Sequence, residues 1–201
     1  MHLVAGKVYT QEGFDGRALD GREIKGCQFI GCSFRHTDFS ETEIAGCSFS
    51  ECDFTGARLN ASSHDRSAFT NCRFDGTNLF SARFLECKMT GSTFDNVKTT
   101  GLVISGGDWS FTSLRKAVLK GLDLRGVRFA EADLYRCNLE DADLREADLT
   151  SALLDEASLA GADLRGARID GVNVRNFSLF KVRLDVSQAI YVAQAYGAQV
   201  E

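Results

Sequence analysis

Residues 132–149 read Ala132-Asp133-Leu134-Tyr135-Arg136-Cys137-Asn138-Leu139-Glu140-Asp141-Ala142-Asp143-Leu144-Arg145-Glu146-Ala147-Asp148-Leu149. A leucine returns every five residues, and a small residue stands two places before each one. Neither an α-helix, with period 3.6, nor a strand, with period 2, produces this spacing. Working outward in both directions, the same central slot is filled without insertion or deletion from Phe14 to Leu184. That is 35 consecutive positions, of which only His64 and Thr99 are not large and apolar. A fixed period held over this length marks a repeat architecture.

The other slots explain the shape. The position two before the centre is small: Cys27, Cys32, Cys47, Cys52, Ala57, Cys72, Ala82 and Cys87, then mostly alanine from Ala132 to Ala167. The position two after the centre holds 15 of the 19 glycines. Glycine tolerates positive φ, so the chain can turn a corner once per repeat. A centre residue and a small residue then point inward every five residues, which predicts a narrow coil with a filled interior.

Ala132-Asp133-Leu134, Ala142-Asp143-Leu144, Ala147-Asp148-Leu149 and Ala162-Asp163-Leu164 resemble the pentapeptide-repeat family, whose motif is A(D/N)LXX. The resemblance implies an all-β solenoid: a right-handed quadrilateral β-helix with four repeats per coil. Independent support for a 20-residue turn comes from Phe14, Phe34, Phe54, Phe74 and Phe94, and from Cys32, Cys52 and Cys72. The expected organisation is an N-terminal cap over 1–11, the β-helix over 12–186 and a helical tail over 187–201. The β-helix would hold about 8.75 coils and, at ~4.8 Å per coil, form a rod of roughly 42 Å. The least regular part should be 97–111. There the small slot holds Val97 and Leu102 and the centre slot runs Thr99, Ile104, Trp109, all difficult to fit into a narrow interior.

Composition, at 44% apolar and 25% charged, predicts a folded, soluble chain. No apolar run is long enough for a membrane span. Met1 to Gln11 lacks the apolar core of a signal peptide, so a cytoplasmic location is expected. Proline is absent, as expected where each repeat needs its backbone donors. All seven cysteines occupy the small slot and read as buried core residues, not as metal ligands or disulfides. No cofactor or metal is expected.

Catalytic candidates are few. His64 stands beside Ser62, Ser63 and Asp65, but it fills a centre slot and should point inward between Ile44 and Phe84. Neighbouring residues of an extended chain face opposite ways and do not assemble a triad. Gly106-Gly107-Asp108 lacks the lysine and helix of a phosphate loop. An enzyme acting through His64 is the remotest of the functional readings.

Charge is more informative. Over 131–170 eleven acids stand against four arginines, a net −7. At ~4.8 Å per coil that is about one charge per 1.4 Å, against about one per 1.7 Å in duplex DNA. A DNA-like surface and an ordinary solvated acidic face both fit. The preceding stretch 113–128 is basic, through Arg115, Lys116, Lys120, Arg125 and Arg128.

After Leu184, Asp185 or Ser187 can cap a helix and Gly197 can end it. Val186, Ala189, Ile190 and Ala193 lie on one face of that helix. They read either as a lid on the open end of the rod or as a two-fold contact with a second copy. Leu184-Asp185-Val186-Ser187-Gln188-Ala189 also resembles the C-terminal dimerisation element of the MfpA and Qnr group. Phe49-Ser50-Glu51-Cys52-Asp53-Phe54 and Ser67-Ala68-Phe69-Thr70-Asn71-Cys72 resemble its repeat segments.

That resemblance implies a homodimeric DNA mimic that binds DNA gyrase and protects it from fluoroquinolones, without itself binding nucleic acid or membrane. Its register never breaks, so it is expected to resemble the loop-free MfpA more than the looped Qnr branch. The gyrase-binding surface would be Asp133, Asp141, Asp143, Glu146, Asp148, Asp155, Glu156 and Asp163. The dimer contact would be Val186, Ala189, Ile190 and Ala193. The alternative is a generic rod-shaped interaction scaffold whose partner is not a topoisomerase.

Overall fold

The computed structural model describes residues 3–200; the outer ends of the expected cap and tail, residues 1, 2 and 201, lie outside it. Nine three-residue strands form two parallel sheets. The first contains β1 (Val8–Thr10), β3 (Gln28–Ile30), β5 (Ser48–Ser50) and β7 (Ala68–Thr70). The second contains β2 (Glu23–Lys25), β4 (Glu43–Ala45), β6 (Ser63–Asp65), β8 (Arg83–Leu85) and β9 (Val103–Ser105). One helix, α1 (Val186–Ala195), closes the chain.

Every strand pairs with a counterpart one circuit away, as in Tyr9 with Phe29 and Ile44 with His64. Single-residue bridges continue the same offset along the rod, from Gly13 with Ser33 to Asp163 with Arg183. Bridges recur every five residues around a coil, so the solenoid has four sides. The first face carries β1, β3, β5 and β7 and continues through Lys88, Asp108, Arg128, Asp148 and Arg168. The second runs from Gly13 to Leu153, the third from Ala18 to Ser158, and the fourth from β2 to Arg183.

The corners follow from backbone sterics. From Gln11 to Gly171 every fifth residue has positive φ. Glycine adopts this conformation freely, whereas it costs an L-residue roughly 1–2 kcal/mol. Nineteen non-glycine residues nevertheless hold it, Phe111 and Glu146 among them. The ladder and core therefore override local preference. The corner is missed once, at Asn176, where the ladder slips by one residue and Glu156 N–H donates to Asn176 O at 2.9 Å.

The interior is a column of stacked side chains. Phe14, Phe34, Phe54, Phe74 and Phe94 lie face to face at 4.8–5.0 Å. Tyr9, Phe29, Phe49 and Phe69 form a second column at 4.7–5.0 Å. Burial of each contributes ~1.5–3 kcal/mol, with ~0.5–1.5 more per aromatic pair. The small slot has a second use beyond fitting. Thr37 Oγ1, Thr42 Oγ1, Cys52 Sγ and Cys72 Sγ each donate to the carbonyl of an inward-pointing centre residue on the preceding coil. Threonine, serine and cysteine thus satisfy carbonyls that alanine leaves to turn bonds alone.

The ladder opens where irregularity is expected. On the third face no bridge joins Lys98 to Val118, and on the fourth none joins β9 to Asp123. The first and second faces stay closed, through Asp108 with Arg128 and Thr93 with Ser113. The cause is Val97, Leu102 and Leu122 in slots built for alanine, on the two faces that open. Trp109 is accommodated instead: its small slot is Gly107, where a Cβ would lie 2.2 Å from Cys87 O. Across the gap, Thr99 Oγ1 donates to Val118 O at 2.6 Å.

Candidate functional site

His64 is fully enclosed. Its ring stacks on Phe84 at 4.5 Å, and its Nε2 lies 2.9 Å from Ser62 Oγ. Burial pushes its pKa down to about 3, because the cation would have no water around it. Ser62 and His64 do meet, but inside a sealed coil, while Asp65 turns outward to pair with Arg66 at 2.7 Å. No substrate can reach this pair in the folded chain. The seven cysteines are likewise free and buried. Burial pushes the Cys47 and Cys87 thiols up to about 11 and Cys137 to about 12. Among the described residues no group of histidine, cysteine and carboxylate side chains is placed to hold a metal.

The eight acidic residues singled out by sequence fall into two groups. Asp133, Asp143, Asp148 and Asp163 stand immediately before a centre residue. Each carboxylate accepts the backbone N–H two residues on, from Tyr135, Arg145, Thr150 and Arg165, at 3.0–3.2 Å. This is the turn-capping geometry that short acidic side chains favour. The same carboxylates bind arginines: Asp133 with Arg115 at 2.7 Å, Asp143 with Arg145 and Asp163 with Arg165 at 2.6 Å, and Asp148 with Arg168 and Arg128. The Arg165 guanidinium, foremost, holds the Asp163 pKa at about 2. Asp148 and Asp163 are only 8% and 9% exposed.

The second group stands at or beside the corners. Among the described residues Glu146 has no ion-pair partner, and Asp141 has only Lys120 at 3.9 Å. Glu156 pairs with Arg136 at 2.7 Å, and Asp155 accepts a hydrogen bond from the Asn176 side chain. Glu131, which the sequence reading did not single out, is also exposed at a corner and without an ion pair among the described residues.

The basic stretch that precedes the acidic coils lies directly over them. Arg115, Lys120, Arg125 and Arg128 reach Asp133, Glu140, Asp143 and Asp148 on the following coil. Counted over 113–170, nine basic residues face twelve acidic ones, a net −3. The charge density of this part of the rod is therefore well below that of DNA, and its negative character is concentrated at the corners.

The tail has two faces. Asp185 caps α1: its side chain accepts from Gln188 N–H at 3.0 Å, and Gln188 Oε1 accepts from Asp185 N–H at 3.0 Å. The helix is fixed to the rod by Gly166 N–H donating to Asp185 at 2.8 Å, Gln188 Nε2 to Ala167 O at 2.7 Å and Tyr191 OH to Val172 O at 3.0 Å. Tyr191, Val192 and Ala195 pack on the core. Val186, Ala189 and Ile190 are exposed and Ala193 half-buried, so the stripe picked out by sequence lies on the outer face, with Val186 76% exposed. No helix among the described residues is long and apolar enough to cross a membrane.

Known proteins share this architecture. The chain matches the family model "Pentapeptide repeat region" over residues 22–82 and "Pentapeptide repeats (8 copies)" over 108–141 and 142–179. Its fold is similar to a trypsin-treated form of QnrB1, a plasmid-mediated fluoroquinolone resistance protein, at 22% identity, covering 98% of each chain with a TM-score of 0.88. A second trypsin-treated form matches at 21% identity and TM-score 0.77, covering 98% of this chain and 99% of that one. HetL of the cyanobacterium Nostoc sp. strain PCC 7120, a protein involved in heterocyst differentiation regulation, matches at 21% identity and TM-score 0.53, covering 89% and 87%. No protein of curated function matches the chain in sequence. The repeat matches cover about two-thirds of the chain and omit 83–107, which contains Val97 and Leu102; with the four-sided coil, they make this chain a member of the pentapeptide-repeat family.

Proposed function

We propose that the chain is a non-catalytic, homodimeric rod that binds DNA gyrase in the cytoplasm by imitating DNA, modulates its activity and protects it from fluoroquinolones. One observation carries this reading: a rod of QnrB1's fold presents exposed corner carboxylates, Glu131, Asp141 and Glu146, in coils near an exposed apolar helix face. Pairing of two α1 helices around a two-fold axis through Val186, Ala189, Ile190 and Ala193 would join two such surfaces. The corner carboxylates would steer the rod toward the cationic DNA-handling surface of the enzyme. Asp133, Asp143, Asp148 and Asp163 would support that surface by holding the turns and the neighbouring arginines in place, and Asp155 and Glu156 would extend it.

The modest net charge over 113–170 favours a second reading, a rod-shaped scaffold for a partner other than a topoisomerase. A supercoiling assay separates the two. Inhibition of gyrase, or its rescue from a fluoroquinolone, at protein concentrations near that of the enzyme supports the gyrase reading. No effect at a large excess leaves the scaffold.

A further inference from the structure

The opening on the fourth face leaves a strand edge inside the rod. On the coils beyond it, Leu124 N–H donates to Asp143 O and Leu144 N–H to Asp163 O, both at 2.8 Å, and Asp143 N–H donates to Leu122 O at 3.0 Å. At β9 none of the equivalent bonds is made: Ile104 N–H, Gly106 N–H and Leu102 O face the next coil without a backbone partner there. These groups alternate as donor and acceptor along an extended chain, which is the pattern another strand recognises.

The space beside this edge is a cleft of about 710 Å³, within the range of ligand sites. It is walled by Leu102, Val103 and Ile104 on one side and Leu122 and Asp123 on the other. Its lining is richer in cations than the protein as a whole: Arg83, Arg125 and Arg145 line it against Asp123 and Glu146 in a chain of net −5. Arg125 is already engaged by Asp123 at 2.6 Å and Arg145 by Asp143 at 2.6 Å. Arg83, exposed on β8, has no ion-pair partner among the described residues.

We infer that this cleft is a docking site for an extended, acidic peptide segment of a partner protein. The segment adds to the free edge of β9 through main-chain hydrogen bonds to Ile104 and Gly106, and it places a carboxylate on Arg83. Val103 and Leu122 supply apolar contact to its alternate side chains. The inference stands apart from the gyrase reading, which concerns the corners and the tail.

The probe is a fluorescein-labelled, C-amidated hexapeptide of alternating valine and glutamate, titrated against the full chain by fluorescence anisotropy. An otherwise identical valine–lysine peptide serves as control. Saturable binding of the acidic peptide is expected, weakened about tenfold by Arg83→Glu and about tenfold with the lysine peptide. Amide resonances of Ile104 and Gly106 should shift most. Arg83 is exposed and outside every ion pair of the described residues, so its reversal leaves the fold intact. The inference is overturned by absence of saturation at about 1 mM protein, by equal binding of the lysine peptide, or by affinity unchanged in Arg83→Glu.

Discussion

Leu102 and Leu122 occupy the same slot on the same face of successive coils, and the backbone ladder is not made between them. Alanine or threonine fills this slot in Thr42, Ala82, Ala142 and Ala162, where the ladder is continuous. Replacing both leucines by alanine should let the coils close. The double variant should then slow amide exchange at Ile104 and Gly106. Leu→Ala costs ~2–5 kcal/mol at a buried site such as Leu102 and less at half-buried Leu122, and new ladder bonds return ~0.5–1.5 kcal/mol each. The double variant is expected to lose less stability in urea than the two single variants added together. Unchanged exchange at both amides would contradict oversized leucines as the cause.

His64 gives the protein a pH-dependent stability. Its folded pKa, about 3, lies below the usual histidine value near 6.5. The unfolded chain therefore binds the proton first, and stability falls as pH drops below about 6.5. The loss at pH 5 is about 2 kcal/mol. His64→Phe keeps a flat ring on Phe84, and Ser62 Oγ retains its bond to Leu59 O at 2.7 Å. Urea titrations of that variant at pH 7 and pH 5 should therefore give nearly the same unfolding free energy, the histidine contribution having been removed. A pH difference as large as that of the native chain would place the titration elsewhere.

The thiols should be inert until the rod unfolds. Cys47, Cys87 and Cys137 are at most 2% exposed and their pKa values are raised by burial. With a coloured disulfide reagent at pH 8, native protein should show essentially no release on a scale of minutes, and denatured protein seven equivalents. Prompt native labelling would mean that coils open far more often than their packing allows.

The outer face of α1 is expected to hold the dimer. Ile190→Asp places a charge on an exposed apolar stripe without touching Gln188, Tyr191 or Val192, which fix the helix to the rod. Analytical ultracentrifugation should show a folded monomer. A dimer of native affinity would move the contact to another surface.

The corner carboxylates can be reversed without disturbing turns. Glu131→Lys, Asp141→Lys and Glu146→Lys together should abolish gyrase inhibition while secondary structure and dimerisation persist. Asp143→Lys or Asp148→Lys is a poorer test, because either also removes a turn cap and an arginine partner. Native binding should weaken with added salt, since exposed charges are screened beyond ~8 Å at physiological ionic strength. Full inhibition by the triple variant would exclude the corners as the contact.

The coil was legible because its cause is local and repeated: one inward residue, one small residue and one corner per five. The length of the turn followed from Phe14, Phe34 and their successors, which indeed stack. The trouble between 97 and 111 was visible in Val97 and Leu102, and the ladder opens beyond both of them. Trp109 is large, yet Gly107 makes room for it, and its face stays closed while the gaps fall on the faces of Val97 and Leu102. The surface was harder to read. Counting acids from 131 to 170 treated as one patch residues that the coil divides between turn caps, such as Asp163, and free corners, such as Glu146. Neighbours in space are separated in sequence by a whole circuit, so a running charge count cannot see that Arg128 neutralises Asp148.

That offset also sets a rule for how such a chain can change length. Lys120 meets Glu140 because one circuit of the coil separates them. Removing a single repeat would keep every centre slot filled but rotate the remainder of the rod by a quarter turn, setting each arginine against the wrong face and each phenylalanine over the wrong column. Removing four repeats would restore both. The molecule has an angular memory of its own history: insertions and deletions are silent only in whole revolutions, and any surviving fraction of one must be recorded as a twist in where its surfaces point.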